Sequence, residues 1–195
     1  MPGRWGSWLN SYLNRPTYRA MAAVLELGTE DDLLDVACGW GEFMTVHGPK
    51  ARSVAGIDHS EEKVAFARER LVDRVAAGTA EVVHGDATAL PWAEGRFSAV
   101  TCMDAFTFFP APERVLGEVL RVLRPSGRMV MQIGANFPKG KPTTLKHPGV
   151  KTYDDEAEVR YMVENAGFVD VEFTYVPIGG DSRAGNFASR AMMGT

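Results

Sequence analysis

The stretch Leu33-Leu34-Asp35-Val36-Ala37-Cys38-Gly39-Trp40-Gly41 constrains this chain more than any other. A short apolar run, broken by one acid, meets two glycines and gives way to a short helix, roughly Glu42 to His47, which Gly48-Pro49 stops. Glycine at such a bend permits a tight turn and lets a ligand approach the backbone. The helix that follows presents free N–H groups to an anionic or polar ligand end. A second apolar run, Ser53-Val54-Ala55-Gly56-Ile57, ends in Asp58, nineteen residues after Gly39. A carboxylate about 20 residues past the turn, at the end of a second strand, can accept both hydroxyls of a ribose. This segment therefore reads as a βαβ unit suited to a nucleoside.

The same alternation continues and predicts a mostly parallel sheet. Ser60 caps a helix over 60–77, with Glu61 and Glu62 in its first turn, where the macrodipole favours acids. Val64, Ala67, Leu71 and Val75 make one apolar stripe, and Gly78 stops the helix. Glu81 to His84 is a strand that reaches Gly85-Asp86. Phe97 to Met103 is the next, with Asp104 just past its end. A helix over Glu113 to Leu123 turns Val115, Leu116, Val119, Leu120 and Leu123 inward. Pro125-Ser126-Gly127 then bends the chain into a fifth strand, Arg128 to Ile133.

The remainder reads differently. Residues 135–150 carry three prolines and form a loop. A helix capped near Thr152 runs to Gly167, and Val169 to Val176 is a strand. Gly179-Gly180-Asp181 turns the chain into a last strand, Asn186 to Met193. Two strands with no helix between them should pair antiparallel. Residues 1–30 look helical and carry Trp5, Trp8, Tyr12 and Tyr18. This aromatic set is either a lid that holds a cation by cation–π contact or one apolar face of a helix. The whole of 1–195 is expected to be one domain.

Composition narrows the function classes. The 195 residues are 45% hydrophobic and 24% charged, which suits a globule with a real core. A net charge of -4 argues against a nucleic-acid binder. No apolar run reaches the length of about 18 residues that a membrane span needs. Asn and Arg interrupt MPGRWGSWLNSYLNRP where an export signal needs an apolar core, so a reducing cytoplasm fits. Cys38 and Cys102 are too few for a disulfide framework or a zinc site. They read as small buried hydrophobes. His47, His59, His84 and His147 show no metal spacing, and His84 reads as structural.

Two ligand classes fit the glycine turn, a nicotinamide dinucleotide and S-adenosylmethionine. The first needs a third glycine where this chain has Met44, and it suits Asp35 poorly. An acid at position 35 can instead meet the ammonium of an amino-acid moiety, which favours the second. Plainer readings stand beside these: Gly39 and Gly41 as turn glycines, Asp58 as a helix cap and Asp86 as a turn residue, while Trp40 is either a lid over the ligand or a packed surface aromatic.

Four segments carry a resemblance: LLDVACGWGEF, AGIDHS, VVHGDATALPWAEGRFSAV and EVLRVLRPSGRMVM. Their order and spacing resemble the class I S-adenosylmethionine-dependent methyltransferases, above all the small "type 11" branch with the ubiquinone and menaquinone C-methyltransferases. The resemblance implies a Rossmann-like α/β three-layer sandwich, its seven-stranded, mostly parallel sheet closed by an antiparallel C-terminal hairpin strand. It implies that Asp35, Ala37, Gly39 and Gly41 surround the methionine part of the cofactor. Asp58 would take the ribose hydroxyls, with His59 alongside the adenine. Asp86 would bond the adenine amino group, and the Ala87 N–H a ring nitrogen. Cys102 and Met103 would pass the methionine moiety. Two departures are Ala37, where the family usually has glycine, and FTFFP after the fourth strand, where many members carry a histidine.

The expected activity is methyl transfer to a small molecule. Asp104 and His147 are the candidate bases, and Phe106, Phe108 and Phe109 a candidate acceptor pocket. With only residues 135–150 and the N-terminal segment as cover, either the pocket is shallow and open or a second subunit covers it, as in a homodimer. Rival readings are a cofactor-binding scaffold without methyl transfer (a partner subunit or a cyclase) and a nicotinamide-dependent oxidoreductase.

Overall fold

The computed structural model describes residues 16–135, 153, 156–177 and 185–193. Seven strands form one sheet: β1 (Asp32–Val36), β2 (Ser53–Asp58), β3 (Ala80–His84), β4 (Phe97–Cys102), β5 (Leu123–Ala135), β6 (Phe168–Pro177) and β7 (Gly185–Met193). Their spatial order is β3-β2-β1-β4-β5-β7-β6. The first five pair in parallel. β7 lies between β5 and β6 and runs antiparallel to both. The order reverses direction between β1 and β4, where an open α/β sheet forms its ligand crevice.

Side chains alternate across each strand, so the sheet feeds a core on each face. Leu34, Val36, Val100, Met129 and Met131 pack with α5 (Pro112–Val122) and α6 (Glu156–Asn165). Leu33, Val54, Ala99 and Val130 pack with α1 (Pro16–Leu25), α2 (Glu42–Val46) and α3 (Glu61–Arg70). On α5 the inward set is Val115, Leu116, Val119 and Val122. Leu123, expected to close that helix, opens β5 instead.

Two expectations need correction. The helix over 60–77 breaks at Leu71 (φ −100°, ψ 17°) into α3 and α4 (Val72–Ala76). The apolar stripe ends there, and Val75 is exposed. Beyond the break the Arg74 guanidinium donates to the carbonyls of Gly48, Ala51 and Arg52, so polar anchoring replaces apolar packing. Pro125-Ser126-Gly127 does not precede the fifth strand. Leu123 already pairs with Phe97, and the pairing resumes at Arg128 with Ala99, which makes the segment a bulge within β5. Ser126 sits at φ 61°, and a Cβ on Gly127 would come within 2.7 Å of the Arg124 carbonyl oxygen.

At the N-terminal end of the sheet, Asp31 accepts from the Gly28 N–H (2.8 Å), the Ser98 hydroxyl (2.6 Å) and the Arg128 guanidinium (2.8 and 3.0 Å). Arg128 also donates to the carbonyls of Leu25 and Glu26, which fixes the end of α1 to β5. The expected turn at 179–181, the helix cap at Thr152 and Trp5, Trp8 and Tyr12 lie outside the described residues.

Candidate active site

A cavity of about 740 Å³ opens at the carboxyl ends of β1, β2 and β4. The sequence-predicted residues Asp35, Ala37, Gly39, Asp58, His59, Asp86, Ala87, Met103 and Asp104 all line it. Gly41 and Cys102 do not. Gly41 occupies the left-handed region at φ 77°, and a Cβ there would meet the Ala67 Cβ at 3.0 Å, so this glycine lets α3 pack on the turn. Cys102 is buried in the core beneath the site. His147 lies outside the described residues.

The turn is built by backbone geometry. Ala37 and Gly39 both adopt positive φ, 57° and 55°. A left-handed alanine costs roughly 1–2 kcal/mol. The Cys38 N–H donates to the Ile57 carbonyl at 2.9 Å, holding the turn against the end of β2. Asp58 completes the clasp: one carboxylate oxygen accepts from the Gly39 N–H and the other from the Ser60 N–H, each at 2.9 Å. A carboxylate has about four lone-pair sites, so each oxygen keeps capacity on its cavity side. Ser60 in turn caps α3 through the Lys63 N–H, so Asp58 need not serve as the cap.

Among the described residues five carboxyl groups line the cavity, Asp35, Glu42, Asp58, Asp86 and Asp104, against Lys63 and His59. Asp35 is only 2% exposed, and its Oδ1 has no hydrogen-bond partner among the described residues. Burial pushes its carboxyl well above the usual carboxylate range, and the neighbouring charges of Glu42 and Asp58 push it further. Burial also raises Glu42, which meets Arg70 at 3.5 Å. Asp86 is exposed, and the Thr88 N–H donating to it at 2.8 Å holds its carboxyl below the usual range. Cys38 and Cys102 are free thiols that burial pushes far up, so neither is a nucleophile. His84 bonds the His59 carbonyl at 3.0 Å, joining the ends of β2 and β3.

Two aromatic walls flank these acids. Trp40 stands edge-on to Phe66 at 5.2 Å on the β2 side. Phe108, Phe109 and Pro110 form the other wall. Phe106 is buried behind it, between Phe109 and Tyr153. Asp104 stands beside this wall at φ 53° and accepts hydrogen bonds from the Tyr18 hydroxyl and the Gln132 amide.

Sequence reasoning missed Glu42, Lys63 and Gln132. An acid at the first position of the helix after the glycine turn was a readable signal for Glu42. For Gln132 the signal was one amide inside the apolar run Met129 to Ile133.

A family described as "methyltransferase domain" matches residues 34–131, the span from β1 into β5. The chain belongs to this methyltransferase family. It is 33% identical over 146 residues to the ubiquinone/menaquinone biosynthesis C-methyltransferase UbiE of Methylobacterium nodulans, covering 68% of this chain and 57% of that protein. The chain spans about half the length of the curated relatives it matches. Among solved structures it is similar to a putative methyltransferase from Bacillus halodurans (TM-score 0.71, 20% identity, 91% of this chain and 99% of that one). It is likewise similar to the [4+2]-cyclase SpnF (TM-score 0.76, 20% identity, 92% and 81%). These likenesses show a Rossmann-like α/β fold.

S-adenosylmethionine, the cofactor of this family, fits the residues present. Its ammonium suits a buried carboxylate with an unused oxygen, and Asp35 offers one. Its ribose suits the cavity-side lone pairs of Asp58, and its cationic charge suits a lining with more acids than bases.

Proposed function

We propose that the chain binds S-adenosylmethionine in this cavity and transfers the methyl group to a small-molecule acceptor. The observation that carries the reading is Asp35, a buried acid beside a glycine turn with one oxygen that has no hydrogen-bond partner among the described residues. Burying a carboxyl without a partner is expensive, and a cationic ligand that meets it offsets the cost. In this reading Asp35 receives the ammonium, Asp58 the ribose hydroxyls, and Asp86 and the Ala87 N–H the adenine edge. Ala37, Gly39 and Met103 bound the methionine part, and His59 lies alongside the base.

When bound, the cofactor supplies a methyl group on positively charged sulfur, which departs as a neutral thioether. The chain then needs to align the acceptor and remove a proton. Asp104 is the residue we assign to take that proton. It lines the cavity beside Phe108 and Phe109, whose rings suit a flat apolar acceptor. The named activity of the UbiE relative makes a quinol ring the acceptor to test first. With the methyl group supplied by the bound cofactor, Asp104 would accept the proton that the acceptor loses, and Phe108 and Phe109 would hold the acceptor ring beside it.

A thermal-shift titration with S-adenosylmethionine, S-adenosylhomocysteine, NAD and NADP tests the binding half. A ligand at 100 times its dissociation constant should stabilise the fold by about 2.7 kcal/mol. Stabilisation by the nicotinamides alone would support an oxidoreductase. Labelled methyl appearing on a short-chain demethylmenaquinol tests the transfer half. Binding with no methylated product from the quinol, a catechol or an amine would support the scaffold reading.

A further inference from the structure

Asp104 is held from two directions by residues that are far away in sequence. The Tyr18 hydroxyl, on α1, donates to Oδ2 at 3.2 Å across 86 residues of chain. The Gln132 amide, on β5, donates to Oδ1. Both donors are deeply buried, Tyr18 5% and Gln132 2% exposed. Gln132 interrupts an otherwise apolar strand between Met131 and Ile133, where an amide costs free energy unless it is bonded. The Tyr18 ring is set edge-on against Phe43 at 6.2 Å, and Arg128 clamps the end of its helix to β5. Asp104 itself takes the left-handed backbone at φ 53°, a region that aspartate reaches more readily than most side chains.

We infer that Tyr18 and Gln132 are positioning residues that aim the Asp104 carboxylate at the acceptor, so that α1 belongs to the acceptor side of the site. The inference rests on the reading of Asp104 above. The two donors fix one oxygen each, which sets the plane of a carboxylate that lines the cavity. Neither donor has to touch the acceptor for this effect. A misaimed base slows transfer while the cofactor side of the cavity stays intact.

The test is a set of double variants assayed with labelled S-adenosylmethionine and a short-chain demethylmenaquinol. Tyr18→Phe keeps the ring and removes the hydroxyl, and Gln132→Met matches the neighbouring strand residues. Each should lower kcat about tenfold while the cofactor affinity and melting temperature stay at wild-type values. In an Asp104→Asn background, which tolerates the left-handed backbone, neither substitution should lower kcat further. An unchanged kcat in the single variants overturns the inference. So does an equal loss with and without the Asp104 carboxylate, which would mark a purely structural role. If the wild-type protein does not methylate the quinol, the assignment of function fails and the inference falls with it, before any variant is compared.

Discussion

Asp35 is an acid held in the site at an electrostatic cost. Its folded carboxyl lies above the ordinary value of 3.8 because it is buried and faces Glu42 and Asp58. A carboxyl with a raised folded value binds its proton more tightly in the native state. Its contribution to stability is therefore present at low pH and fades as pH rises from about 4 through the raised value. At neutral pH Asp35→Asn relieves that penalty. We expect this variant to melt higher than wild type without ligand, by about 2–4 °C for each kcal/mol relieved. It should also lose S-adenosylmethionine binding. A variant that melts lower and binds normally would show that Asp35 is a structural acid. Asp35 and Asp58 were legible in the sequence because their roles depend on spacing from a glycine turn. Glu42 and Gln132 stood at telling positions, the first residue of a helix and an amide in an apolar run, but their burial and partners are set by elements that the local sequence does not reveal.

Between α2 and α3 the fit is tight. The turn that opens α2 can pack against α3 only because position 41 has no side chain and Ala67 has a small one. Gly41→Ala combines a left-handed alanine with a 3.0 Å contact to the Ala67 Cβ, a small side chain that cannot swing aside. We expect a loss of about 1–3 kcal/mol in urea unfolding. An unchanged midpoint would mean that the helices part without cost. The five parallel strands could be read from apolar runs that end in acids or glycines. The break at Leu71 could not, since the apolar spacing of the sequence continues past it to Val75 and the Arg74 anchor lies on carbonyls of another loop. Likewise the turn chemistry of 125–127 was visible, but only the pairing of Leu123 with Phe97 makes it a bulge inside β5.

Across the whole molecule the two ends of the parallel sheet have opposite electrostatic roles. At the N-terminal end burial alone would raise Asp31 and Asp32, yet hydrogen bonds and nearby arginines outweigh it. Asp31 falls well below the ordinary range, held by Arg128 and Ser98, and Asp32 falls to about 2, held by Arg52 and Ser53. A depressed carboxyl stabilises the fold above the ordinary value of 3.8, and that stability is lost as pH falls towards the folded value. Acid unfolding should therefore steepen below about pH 4, and Asp31→Asn should move its midpoint to higher pH, read by circular dichroism. No movement would mean that the clamp of Arg128 on α1 does not need this acid. One end of the sheet is thus locked by paired charge, while the other gathers acids around a cavity.

The central claim is that the acids of this cavity hold S-adenosylmethionine, and calorimetric titration of wild type and Asp58→Ala tests it most directly. Wild type should bind one molecule of cofactor per chain. The variant, shown to be folded by its melting curve, should bind at least about 100-fold more weakly, because two hydrogen bonds to a charged partner are worth about 1.5–3 kcal/mol each. Equal affinity in the two proteins, or no binding by wild type, would contradict the account.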